Sequence, residues 1–148
     1  DLAAADLEAA LKLAPEEGPG TIFPEMLRLA NAREDSKWFL SIYRRWVEAA
    51  PDDVKLRIAY ARACVTVHDP YKDPETAVAQ ARKAVELTGG EKAEPLQMLA
   101  FALYRNGQIQ DAVAAQERAI QRLPLNQKQL RKSYRQLLDR YRRAASGK

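Results

Sequence analysis

The chain has 148 residues, a mass of 16.7 kDa and a net charge of +4, which is one domain's worth of sequence. Its single cysteine excludes an internal disulfide and a cysteine-based zinc site, and no stretch approaches the about 18 apolar residues that a membrane span needs. It holds 26 Ala and 17 Leu against 7 Val, 5 Ile and 4 Thr, so good helix formers dominate and strand formers are scarce, which points to an all-α protein.

Helix stop signals set out eight helical segments. The first, 1–14, is helical in pattern from its opening residues (Leu2, Ala3, Leu7, Ala10, Leu11). It shows neither an initiator Met nor a signal peptide, and is expected to be a piece of a longer protein. Pro15 to Gly20 break it, and a second segment covers 22–33. A polar gap at Asn31 to Asp35 leads into 36–50. There Trp38, Phe39, Ile42, Tyr43, Trp46 and Val47 fall mostly on one face, as core residues would. Pro51-Asp52-Asp53 ends that helix and caps the next, 53–67. In that helix Cys64 is expected to be a small buried hydrophobe rather than a reactive thiol. In the loop from His68 to Pro74, Asp73 is a good N-cap and Pro74 suits the first helical position of 74–88. Gly89-Gly90 supply a glycine stop. Pro95 opens 95–105, Asn106-Gly107 break tightly before 109–123, and Pro124-Leu125-Asn126 precede 127–144. Short links between successive helices imply antiparallel neighbours.

The breaks recur: Pro15 to Pro51 is 36 residues, Pro51 to Gly89 is 38 and Gly89 to Pro124 is 35. Such a period marks stacked repeats. Small residues keep phase with it. Ala77 and Ala84 lie seven apart on one helix face, as do Ala112 and Ala119, and Ala3 and Ala10. In this pattern, alanine permits close approach of two helix backbones. From Leu96 to Pro124 the chain resembles a tetratricopeptide repeat of degenerate, bacterial type. Leu96, Leu99, Ala100 and Leu103 stand on its first helix, Gly107 in the turn, then Ala112, Ala119 and Pro124. Leu96 stands for the family's Trp, Ala100 for Gly, Leu103 for Tyr and Gln116 for Phe. Residues 54–90 keep Tyr60, Ala61, Ala77 and Ala84 but carry four extra residues in the His68–Pro74 loop. Residues 20–53 keep Leu27, Tyr43 and Pro51, with Phe39 and Trp46 where alanines belong.

The resemblance implies antiparallel helix pairs stacked as a right-handed superhelix. Residues 1–15 would be the orphan helix of a truncated repeat. Repeats would span 20–53, 54–90 and 93–126, and 127–145 would form a basic capping helix. The run KAVELTGG and the later QERAI are similar to repeats attached to larger bacterial proteins that carry a thioredoxin-like, kinase or transferase domain.

Catalytic chemistry is nearly absent. His68 and Asp69 are neighbours in a loop, with no nucleophile placed beside them. Gly89-Gly90 belong to no phosphate-binding motif. The pairs Glu16-Glu17 and Asp52-Asp53 suit helix N-termini, where carboxylates are stabilised. Neither an enzyme nor a cofactor nor a metal is expected.

By the resemblance, the concave wall is lined by the first helix of each pair. It would offer Arg28 and Asn31, then Lys55, Ile58, Arg62 and Val65, then Gln97, Phe101, Tyr104 and Arg105, then Lys128, Arg131, Arg135 and Leu138. Equivalent positions read Arg28, Arg62, Phe101, Arg135, a basic strip with an aromatic insert. That strip suits a protein or peptide segment bearing carboxylates, with Phe101 and Tyr104 as apolar anchors. The family's clamp for chaperone tails is not matched, since its positions hold Pro24, Arg28, Ala59, Glu94 and Met98. Residues 127–148 carry +7 and the other 126 residues −3. The terminal helix is amphipathic through Leu130, Tyr134, Leu137, Leu138 and Tyr141, as a solenoid cap requires.

The expected function is a non-catalytic protein-interaction scaffold. Two alternatives are an accessory domain that recruits substrate for a larger enzyme, and an anionic-surface or nucleic-acid binder acting through the basic helix. Nucleic acid is the weaker partner, because Tyr134 and Tyr141, the only residues there able to stack on bases, fit the buried face. A free cysteine fits a reducing cytoplasm.

Overall fold

The computed structural model describes residues 2–13 and 19–147. Among them all regular structure is helical: α1 (Leu2–Leu13), α2 (Pro19–Ala32), α3 (Ser36–Ala49), α4 (Val54–Thr66), α5 (Pro74–Leu87), α6 (Ala93–Arg105), α7 (Ile109–Gln121) and α8 (Lys128–Ala145). The eight expected segments are all present. The starts of two helices move at prolines, and α7 ends at Gln121, two residues before the expected 123. α2 starts at Pro19 rather than near 22 and carries Pro24 inside it, at the loss of one backbone hydrogen bond. α6 starts at Ala93, two residues before Pro95. The first four N–H groups of a helix have no partner within it, so a proline there forfeits nothing. Residues 15–18 of the expected first break, including Glu16 and Glu17, lie outside the described residues.

Local signals explain where helices begin. The carboxylates of Asp35, Asp53 and Asp73 each accept the backbone N–H three residues on, from Trp38 at 2.9 Å, Leu56 at 3.0 Å and Thr76 at 3.0 Å. Each such cap stabilises by about 1 kcal/mol. The glycine stop at 89–90 is present, with φ of +61° and +72° and the Gly90 N–H on the Val85 carbonyl at 2.9 Å.

One hydrogen bond recurs where the first helix of a pair turns into the second. The backbone N–H of Asp35 donates to the Ala30 carbonyl (3.0 Å), that of Asp73 to Cys64 (2.8 Å) and that of Gln108 to Leu103 (2.9 Å). In each case the donor is the cap residue of the next helix. In the first and third turns the preceding residue is left-handed, Glu34 at φ 54° and Gly107 at φ 78°. In the middle turn donor and acceptor are nine residues apart instead of five, so the four extra loop residues lie outside the closing bond.

This bond aligns the three pairs. Phe39, Ala77 and Ala112 stand four residues after the donor, and Trp46, Ala84 and Ala119 eleven after it. The four alanines are fully buried, while Phe39 and Trp46 are half-buried. The alanine phase does not extend to burial in α1, where Ala3 is exposed and Ala10 half-buried. α1 packs on α2 and reaches α3 through the Glu8–Arg45 ion pair at 2.7 Å.

Each helix packs on the next in the chain, and α4 also packs on α6. α5 seats closely on α6, and α3 less closely on α4. The main core joins Val47, Leu56, Tyr60, Cys64, Met98 and Leu103 with the alanine faces and Tyr141. A second cluster holds Phe23, Met26, Leu27, Ala30 and Ile42, and the aromatic face of α3 packs against it through Trp38, Phe39, Tyr43 and Trp46.

Candidate functional site

The spacing of three and four on α4 puts Lys55, Ala59, Arg62 and Thr66 on one face, while Ala61, Cys64 and Val65 turn into the core. Because α4 lies against α6, that face meets Glu94 and Gln97. Leu130 and Tyr134 of α8, with Leu123 and Pro124 from the preceding turn, complete an open groove of about 760 Å³. Lys55, Arg62 and Glu94 also border a second hollow of about 450 Å³, whose far wall is Phe39 and Tyr43 of α3 and whose floor includes Ile58 and Ala59. The two hollows run into one another over these three charged residues.

The charges there are only partly balanced. Arg122 pairs with Glu91 across the groove at 3.0 Å. Among the described residues, Lys55, Arg62, Lys92 and Glu94 make no ion pair or side-chain hydrogen bond, so three unpaired cations share the groove with one unpaired carboxylate. The Tyr134 phenol feels two of them. Burial raises its pKa, the Glu94 carboxylate raises it further, and the Arg62 guanidinium opposes both.

Of the residues expected to line one continuous wall, the structure brings together Lys55, Arg62 and Gln97. The others go elsewhere. Arg28 is exposed and bonded to Glu25 on its own helix. Asn31 borders a further hollow of about 190 Å³ with Glu34, Asp35 and His68, which meets the second hollow at Phe39 and Thr66. Phe101 and Tyr104 pack against the main core, Tyr104 stacking on Tyr141 at 4.6 Å between ring centres. Arg105 is exposed at the end of α6. Lys128 and Arg135 lie on the outer face of α8 with Lys132. Val65 and Leu138 are buried.

Arg131 is a correction of kind. Its guanidinium donates to the carbonyls of Ile120 and Leu123, satisfying the end of α7, so its charge serves the fold. The four-residue strip from Arg28 to Arg135 is therefore not assembled. α2 makes no contact with α4 comparable to that of α4 with α6. Sequence reasoning does not assign Phe39, Tyr43, Glu94, Leu130 and Tyr134 to the groove; the hints are Phe39, aromatic where Ala77 and Ala112 stand in α5 and α7, and Glu94, at a position of the family's clamp.

Cys64 is buried, and burial pushes its thiol up to about 12, with Asp73 adding to the shift. His68 is exposed on its loop. Among the described residues no three His, Cys, Asp or Glu side chains cluster to hold a metal ion, and no helix is long and apolar enough to cross a membrane. No protein-family model matches the chain, and no curated protein matches it.

Proposed function

We propose that the chain is a non-catalytic interaction module of tetratricopeptide type that holds a peptide or protein segment, acidic in character, in the groove between α4, α6 and α8. The recurring turn bond at Ala30, Cys64 and Leu103 supports the repeat assignment, as do the buried alanines in phase with it. The observation that carries the function is the unpaired Lys55 and Arg62 pair at the meeting point of two open hollows. A carboxylate placed there would gain charge-assisted hydrogen bonds. In an accessory-domain setting the same groove would recruit substrate for another part of a longer protein.

The test is a pull-down from the native cell with wild-type and Arg62→Glu baits of equal helicity by circular dichroism. Partners retained by wild type and lost by the variant are expected. Undiminished capture by the variant overturns the proposal.

A second reading gives the partner to the basic outer face of α8, where Lys128, Lys132 and Arg135 lie together. Tyr134, Leu138 and Tyr141 are buried, leaving Leu130 as the one exposed large apolar side chain described on α8, which favours a capping role for this helix.

A further inference from the structure

Presupposing the peptide-binding role above, we infer that the groove selects segments in which one carboxylate is flanked on both sides by apolar side chains. The basic pair sits at a watershed. On one side lies the α3–α4 hollow, walled by Phe39 and Tyr43 over Ile58 and Ala59. On the other lies the end built from Leu130, Pro124 and Tyr134, which Lys92 and the Arg122–Glu91 pair also line. Between them Lys55 and Arg62 face the lone Glu94, leaving an excess of positive charge at the shared boundary and nowhere else along the apolar walls of the first hollow.

The first hollow exists because of two departures from the repeat pattern. Phe39 occupies the place that alanine holds in the later pairs, and α2 makes far less contact with α4 than α4 makes with α6. A segment crossing α4 from the α3 side toward α8 thus meets aromatic surface, then cations, then the Leu130 end. An acidic residue alone would fill only the middle. A purely apolar one would leave Lys55 and Arg62 desolvated without a partner, which is costly.

The experiment is selection of short random peptides displayed on phage against the intact chain. Enriched sequences are then resynthesised with a fluorophore and their anisotropy is measured on wild type, Arg62→Glu, Lys55→Glu and Leu130→Glu. Leu130 is 41% exposed, so its substitution spares the fold. The expected result is a shared Asp or Glu with apolar residues on both sides, and a roughly tenfold or greater loss of affinity in each variant.

Enriched peptides that lose affinity with Arg62→Glu but lack the flanked carboxylate overturn the inference and leave the groove as a peptide site. Enriched peptides indifferent to Arg62→Glu and Lys55→Glu, or no enrichment at all, overturn both. A concentration-dependent dimer abolished by Arg62→Glu gives the groove to a second copy of the chain and also overturns the inference.

Discussion

Four residues past the bond that closes its turn, α3 carries Phe39; at the same place α7 carries Ala112. Seven residues later the pair is Trp46 and Ala119. The two regions are thus built on one turn and packed by opposite means. In α5 and α7 the methyl groups of Ala77, Ala84, Ala112 and Ala119 are fully buried, so helices meet nearly backbone to backbone. In α3 the rings keep helices apart and pack on one another. Phe23 stacks on Trp46 at 5.8 Å, Phe39 meets Tyr43 edge-on at 5.3 Å, and Tyr43 lies parallel to Tyr60 at 5.8 Å. The lesson is that a position fixed by the turn bond does not dictate the size of the residue that stands there. A large residue there turns a closed seam into a seam with a hollow.

Three measurements bear on that contrast, from the largest effect to the smallest. Leu103→Ala removes a buried side chain from the alanine-packed region and is expected to lower stability by about 2–5 kcal/mol in urea denaturation. Both tryptophans, Trp38 and Trp46, stand in α3. Their fluorescence therefore follows the aromatic region while circular dichroism follows the whole chain. An Leu103→Ala transition that moves equally by both probes would merge the two regions into one unit and break the contrast.

Next, the same residue can be placed at the same repeat position in each region. Ala112→Leu forces three carbons into a fully buried site and should cost about 1–3 kcal/mol. Phe39→Leu, at a half-buried site beside a hollow, should cost less than about 1.5 kcal/mol. Equal losses in denaturation midpoint would show that the seams are equally tight.

The smallest effect is nil at neutral pH. Burial raises the Cys64 thiol from 9.0, and the Tyr60 and Tyr141 phenols from 10.0, each to about 12. All three groups belong to the alanine-packed core. Between about pH 9 and 12 the unfolded chain therefore holds fewer protons than the folded one, and stability falls as pH rises. Below pH 9 the contribution is fully present. Denaturation midpoints that stay flat from pH 9 to 11 would place these groups in contact with water.

The turns and caps were legible because their chemistry is local. Asp53 and Asp73 bond to residues three away, and Gly89, Gly90 and Gly107 adopt conformations that neighbours cannot influence. Lys55, Arg62 and Gln97 were legible because helix faces follow from spacing, and α4 and α6 lie side by side. The remainder depended on how helices meet. Nothing in the spacing of α8 says that Arg131 reaches the last carbonyls of α7, or that Tyr104 finds Tyr141. Arg28 was expected in line with Arg62, but α2 does not follow α4 as α4 follows α6. The hollow behind Phe39 and Tyr43 is a property of a seam between two helices, and such a seam has no motif of its own.

The middle turn has one more consequence. Its closing bond, from the Asp73 N–H to the Cys64 carbonyl, spans the loop at its base. Residues 68–72 lie outside it, held by a Tyr71 N–H to His68 carbonyl bond and the Asp69–Lys72 pair, with His68 also bordering the hollow beside Asn31. Lengthening a loop already closed at its base adds only a logarithmic entropy term. The segment is thus a grafting point, where a recognition tag or a reporter can be spliced between two helices without entering either groove wall.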